Sequence, residues 1–260
     1  MTSRYHELTN VLQALNLRQM ASGFADMAVR AARENLSHEA YLYELARLEL
    51  EQRLTNRQVR RTRESGLPLG KTVATLHLPT FGPRLTHQIV SLRHITFVQD
   101  ARNVIAVGTP GTGKSHLAAA LGHELIGQGH TVYWSSTAPL VQRLLAAKRD
   151  LGLPQALAKL DRFACLILDA SGYVQHERDE MEVLFTLLAE RYERRSVIVT
   201  TNLAFSAWDR IFKDPMTTVA AIDRVVHHAV ILAMMALRSY RVKEAHASQT
   251  VPTSTDGEGA

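Results

Sequence analysis

Residues Val104 to Ser115 read VIAVGTPGTGKS, and no other stretch limits so tightly what this chain can become. An apolar run, Val104 to Val107, enters a loop with glycines at 108, 111 and 113. A helical pattern, His116 to Leu121, follows at once. Gly108, Gly113, Lys114 and Ser115 fit the spacing Gly-x-x-x-x-Gly-Lys-Ser. Such a loop must aim several backbone N–H groups at one point, which takes backbone angles and close approaches that glycine tolerates. The helix opening near Lys114 adds its positive end. The stretch therefore predicts a strand, a phosphate-binding loop and a helix. Gly108, Thr109, Pro110, Gly111, Thr112, Gly113, Lys114, Ser115 and His116 would surround ATP. The Lys114 ammonium would face the β- and γ-phosphates, and the Ser115 hydroxyl would ligate Mg²⁺.

Composition sets the bounds. Of the 260 residues 46% are apolar, ample for a packed core, and the net charge is +5. That balance permits a nucleic-acid partner. The longest wholly apolar run, Ala229 to Leu237, is far too short to span a bilayer, and the N-terminus lacks a basic-then-apolar leader. The single cysteine, Cys165, allows no intrachain disulfide and sits in an apolar run where a buried, inert thiol is expected. Together these point to a cytoplasmic protein with no membrane partner. His227 and His228 are adjacent and cannot share a helix face, so neither suggests a metal site.

Residues 1–65 read as a small all-helical domain. Leu8, Val11, Leu12 and Leu15 repeat at helical spacing, as do Leu17, Met20, Phe24 and Met27, and both stripes are expected to face a core. Ser37 is the expected N-cap of a third helix that turns Tyr41, Leu45 and Leu48 inward. This helical region then becomes basic. Arg53, Arg57, Arg60 and Arg61 fall at i, i+4, i+7 and i+8, one helical face. From Gln52 to Lys71 six basic residues face one acid, Glu64, a local +5. A one-sided run of nearly pure sign suits the phosphates of duplex DNA, although a charge run is also often a solvated face. No aromatic residue is interleaved, so stacking on single strands is not suggested. Residues 66–80, rich in glycine and proline, read as a linker.

Residues 81–246 read as an α/β domain. A helix is expected from Arg84 to Arg93, then the phosphate loop. Strands are expected at 131–134, 163–169, 196–202 and 230–233, with helices at 139–148 and 180–191 between them. Continuous apolar strands alternating with helices predict a parallel sheet flanked by helices on both faces. Residues 247–260 read as a disordered tail. Two polar residues close strands at the edge where open α/β sheets bind ligands. Asp169 ends FACLILD and would hold Mg²⁺ through water. Asn202 ends SVIVTTN and could orient an attacking water.

With these positions set, the order Gly108–Ser115, Asp169, Asn202, Arg224, Arg241 resembles the AAA+ fold of P-loop NTPases. Within it the chain resembles the IstB-like ATP-binding proteins, helper ATPases of insertion sequences. The segments carrying the likeness are ARNVIAVGTPGTGKSHLA, GYVQ with EMEVLFTLLAERYERRS, FKDPMTTVAAIDRVVHH and SYR at 239–241. It covers nearly all of residues 1–245, and the DnaC helicase loaders are the nearest related family.

The resemblance implies an ATPase that oligomerises on duplex DNA and recruits or activates a transposase. It also implies roles. Asn202 would be a first sensor of the γ-phosphate, Arg224 an arginine finger reaching a neighbouring subunit's nucleotide, and Arg241 a second sensor. The catalytic set it implies is Lys114, Asp169, Asn202, Arg224 and Arg241. One position departs from the family pattern. The acid expected after Asp169 is Ala170, which implies slow hydrolysis; Glu177, Asp179 and Glu180 lie nearby but do not match. A DnaC-like helicase loader is the alternative. A small-molecule kinase is disfavoured because no acceptor motif is visible.

Overall fold

The computed structural model describes residues 2–170, 178–203 and 226–235. Two compact units divide at Arg61 and Thr62.

The first unit holds α1 (Thr2–Ala14), α2 (Arg18–Glu34) and the greater part of α3 (His38–Ser65). Ser37 does cap α3, its Oγ accepting the Ala40 N–H at 3.2 Å. The core is small: Leu12, Ala21, Phe24 and Leu45, with Leu17, Met20, Ala25, Met27 and Tyr41 packed against it. The α1 stripe does not face a core as a whole: only Leu12 is buried, while Leu8, Val11 and Leu15 are 43%, 54% and 61% exposed. Periodicity marks a shared face; it does not say that a neighbour covers it. The start of α2 has no side-chain cap of its own. Glu49 of α3 serves instead, accepting the Gln19 N–H at 2.8 Å and the Met20 N–H at 3.4 Å. Carboxylates are favoured at helix starts, where N–H groups are unpaired and the dipole is positive.

The second unit is built on a five-stranded, wholly parallel sheet. Its strands are β1 (Asn103–Val107), β2 (Val132–Ser136), β3 (Cys165–Asp169), β4 (Ser196–Thr201) and β5 (Ala229–Ala233), in the order β2-β3-β4-β1-β5. β1 and β3 are buried at every position, as continuous apolar runs between two covering layers should be. One face packs on α6 (Lys114–Gly127), joining Val104, Ala106, Ile167, Ile198 and Leu232 to Leu117, Leu121 and Leu125. The other packs on α7 (Thr137–Arg149), α8 (Leu153–Asp161) and α9 (Arg178–Arg191), joining Leu166, Leu168 and Val197 to Leu144, Leu157 and Leu187. α4 (Gly82–Leu92) buries Leu85, Ile89 and Leu92, and a one-turn α5 (Thr96–Gln99) leads into β1. α8 was not anticipated; Gly152 and Pro154 look like breakers in sequence, yet a proline in a helix's first turn loses no hydrogen bond.

Residues 66–80 are part of this packed body. Leu67 and Leu76 belong to the core, and His123 Nε2 bonds the Pro68 carbonyl at 3.0 Å. Gly122 of α6 makes room for this, since a Cβ there would meet Ile167 at 2.8 Å and Leu67 at 2.9 Å.

Candidate nucleotide site

The phosphate loop leaves β1 at the carboxyl edge of the sheet, where the chain departs β1 for β2 on the far side of β3 and β4. Gly111 and Gly113 take left-handed backbone, with φ 82° and 91°. Gly108 is required for another reason: a Cβ there would lie 2.8 Å from the Met234 Cβ just beyond β5. The loop is cross-braced. Gly108 N–H donates to the Thr201 carbonyl at 3.1 Å, and Thr112 Oγ1 donates to the Thr109 carbonyl at 2.9 Å. Gly113 is the N-cap of α6, so the helix and its positive end begin where the loop stops.

Lys114 is only 6% exposed, and its Nζ donates to the Gly108 and Thr109 carbonyls, both at 2.8 Å. Ser115 Oγ donates to Asp169 Oδ1 at 2.8 Å. The strand, the helix and the acid thus meet across 54 residues of sequence, as their chemistry requires. A hydroxyl and a carboxylate are hard oxygen donors of the kind Mg²⁺ takes, and no cluster of three or more His, Cys, Asp or Glu stands among the described residues. The donor set therefore fits a cation that arrives with nucleotide phosphates better than one held by protein alone.

A cleft of about 240 Å³ opens beside the loop, lined by Pro110 to His116, by Asn202 and by Lys71, Thr75, Leu76, His77, Thr80 and Phe81. Asn202, just after β4, lines this cleft together with the loop. The contribution of residues 71–81 was not legible, for no motif marks it. His116 lines the cleft, but its Nε2 is engaged by Thr75 Oγ1 at 3.0 Å and the Thr72 carbonyl at 3.2 Å, which pins the 70–75 turn to the start of α6. Ala170 holds the backbone position of the missing acid, its N–H donating to the Thr200 carbonyl at 3.1 Å. Glu180 accepts from Gln142 of α7, and neither it nor Asp179 lines the cleft. Glu177, Arg224, Arg241 and the 247–260 tail lie outside the described residues.

The arginine face divides. Arg53 Nε donates to Glu49 Oε1 at 2.8 Å and its Nη2 to the Asn16 carbonyl at 2.9 Å, tying α3 to the α1–α2 turn. Burial would raise the Glu49 pKa, but the Arg53 guanidinium and the two α2 amides outweigh it and hold the carboxyl below its ordinary value. Arg57 and Arg60 are exposed on the same helix and Arg61 is half-buried.

A parallel sheet in this order, a glycine loop after β1, and an acid at the end of β3 bonded to the loop's serine define an AAA+ P-loop nucleotide-binding fold. Solved structures agree. The replication initiator DnaA bound to AMPPCP and single-stranded DNA superposes with a TM-score of 0.56 at 16% identity, covering 73% of this chain and 58% of its own. DnaI gives 0.54 at 15% identity, covering 65% and 94%. The chain belongs to the IstB-like ATP binding protein family, whose sequence profile matches residues 10–248. An insertion-sequence protein of Sinorhizobium fredii, named for ATP binding, is 39% identical over 236 residues, covering 90% of this chain and 79% of its own. The protein of insertion sequence IS21 in Pseudomonas aeruginosa, likewise named, is 33% identical over 257 residues, with 96% of each chain covered. Among the described residues no helix is long and apolar enough to cross a membrane.

Proposed function

We propose that this protein is an ATP-dependent helper of transposition that assembles on duplex DNA and recruits or activates a transposase. The observation that carries the reading is the bond between Ser115 and Asp169 beside the glycine loop, in a chain whose relatives are named for insertion sequences. ATP phosphates would lie across the loop's N–H groups and the start of α6. Lys114 would exchange its bonds to the Gly108 and Thr109 carbonyls for phosphate oxygens. Ser115 and Asp169 would hold Mg²⁺, which when bound neutralises the phosphate charge. Asn202, in the lining of the same cleft, would sense the γ-phosphate. Arg224 and Arg241 keep the finger and second-sensor roles that the family resemblance implies, and a finger acting in trans requires a homo-oligomer.

Ala170 makes hydrolysis slow. Its backbone sits beside Asp169, but a methyl group cannot orient or deprotonate water, and positioned general-base catalysis is typically worth about 10²–10⁴ in rate. The result is an ATP-bound assembly that persists on DNA. Arg57, Arg60 and Arg61 would meet DNA phosphates without reading sequence. Electron microscopy of the protein with duplex DNA, with and without ATP, tests the reading. ATP-dependent oligomers on duplex support it. Assembly only on single strands, or only with a helicase, would favour a DnaC-like loader instead.

A further inference from the structure

The face of the sheet that packs on α6 is apolar between Ser196, at the amino end of β4, and the carboxyl edge. Along β3 and β4 side chains alternate, so Asp169 follows Ile167 and Thr200 follows Ile198 on that face. Asp169 and Thr200 are direct cross-strand partners, and on the other side Thr200 pairs with the small Ala106. Thr200 is 1% exposed, and its Oγ1 donates to Asp169 Oδ1 at 2.5 Å. The same oxygen accepts the Ser115 hydroxyl from the opposite side. Nothing in the sequence marked Thr200, one of two threonines before Asn202.

We propose that Thr200 is a positioning residue for the cation of the nucleotide site, acting through Asp169. This rests on the Mg²⁺–ATP reading above. Two donors on Oδ1 fix the plane of the carboxylate and leave Oδ2 as the oxygen that addresses the cation or its water. Ser115 has one proton, and giving it to Oδ1 leaves the serine lone pairs for the metal. Ser115 alone cannot hold the carboxylate while it also adjusts to an arriving ion. Thr200 can, because it is buried on a central strand and its branched side chain has few rotamers. Partners that orient a ligating carboxylate typically carry about 10- to 100-fold in metal affinity.

The test is binding of a fluorescent ATP analogue to the full chain, first in excess EDTA and then across a Mg²⁺ series. Thr200→Val keeps shape and loses the hydroxyl. It should need about tenfold more Mg²⁺ to reach the tight-binding state, with its EDTA affinity unchanged. Thr200→Ala should share the defect, and Thr200→Ser should restore the wild-type Mg²⁺ midpoint. A wild-type protein indifferent to Mg²⁺ would overturn the cation reading itself. A Mg²⁺-responsive wild type matched by Thr200→Val would overturn only the role of Thr200. Equal loss in EDTA and in Mg²⁺, or a Thr200→Ser protein as defective as Thr200→Val, would show that the residue merely packs.

Discussion

Two cations lie buried at opposite ends of one sheet and are held in different ways. At the carboxyl edge Lys114 donates to two carbonyls of its own loop, those of the adjacent residues Gly108 and Thr109, and phosphate oxygens can replace them. At the amino edge Arg191 is 1% exposed and donates to the carbonyls of Leu160, Phe163, Ala164 and Ser196. Those four belong to the end of α8, the turn into β3 and the first residue of β4. Burial pulls the Arg191 pKa down to about 10, which still leaves it charged at neutral pH. Lysine is a point charge on a flexible stem, whereas arginine is a planar fork that can clamp several acceptors at once. A buried cation serves a ligand when its bonds are local and exchangeable, and serves the fold when they join distant segments.

Replacing each cation should therefore damage a different property. Arg191→Met should produce the largest effect, a loss of about 3–5 kcal/mol in folding stability, because it removes buried hydrogen bonds to four carbonyls of separate segments and the charge beside Asp161. Urea unfolding followed by circular dichroism measures it, and a loss under 1 kcal/mol would erase the contrast. Lys114→Ala should unfold at nearly the wild-type urea concentration yet bind a fluorescent ATP analogue at least about 100-fold more weakly, as expected for losing charge-assisted bonds to phosphate. Equal affinities would remove the loop from the site.

A smaller effect sharpens what the carboxyl edge lacks. Ala170→Asp should raise single-turnover ATP hydrolysis on DNA by at least about tenfold while leaving ATP affinity unchanged. A wild-type rate already matching the variant would show that another group supplies the base.

The same contrast recurs on α3 at lower stakes. Arg57→Ala with Arg60→Ala should flatten the slope of log affinity for duplex DNA against log salt by about 1.8, at about 0.9 per phosphate contact. Arg53→Ala should instead weaken the N-terminal unit, since its guanidinium holds Glu49 and Asn16. The Glu49 contribution has a pH sign. Its folded pKa lies below the ordinary value, so its stabilisation is present above about pH 4.5 and is lost as pH falls through the folded value. An unchanged salt slope in the double variant would make the whole face a solvated one.

The sequence by itself determined the parts whose chemistry is local. The glycine loop, Lys114 and Ser115 are neighbours in the chain, and their task dictates both residue type and spacing. β3 was legible as an unbroken apolar run because a doubly covered strand has no polar face, and Asp169 stood out as the acid that ends it. Cys165 was read as buried for the same reason, and burial pushes its thiol up to about 12. Tertiary structure decided everything that depends on a distant partner. Leu8, Val11 and Leu15 share the periodicity of Leu12, yet no neighbour buries them as it buries Leu12. Arg53 and Arg57 look alike in sequence, but only Arg53 meets Glu49 and the turn after α1. Residues 66–80 have a linker's composition, but Gly122 of α6, 55 residues beyond Leu67, opens the gap that seats it. Arg191 and Thr200 sit in unremarkable surroundings, a charged helix end and a β-branched strand. Their acceptors lie 31 residues away in Leu160 and in Asp169, and a local pattern cannot encode which carbonyl or carboxylate the fold will bring to them.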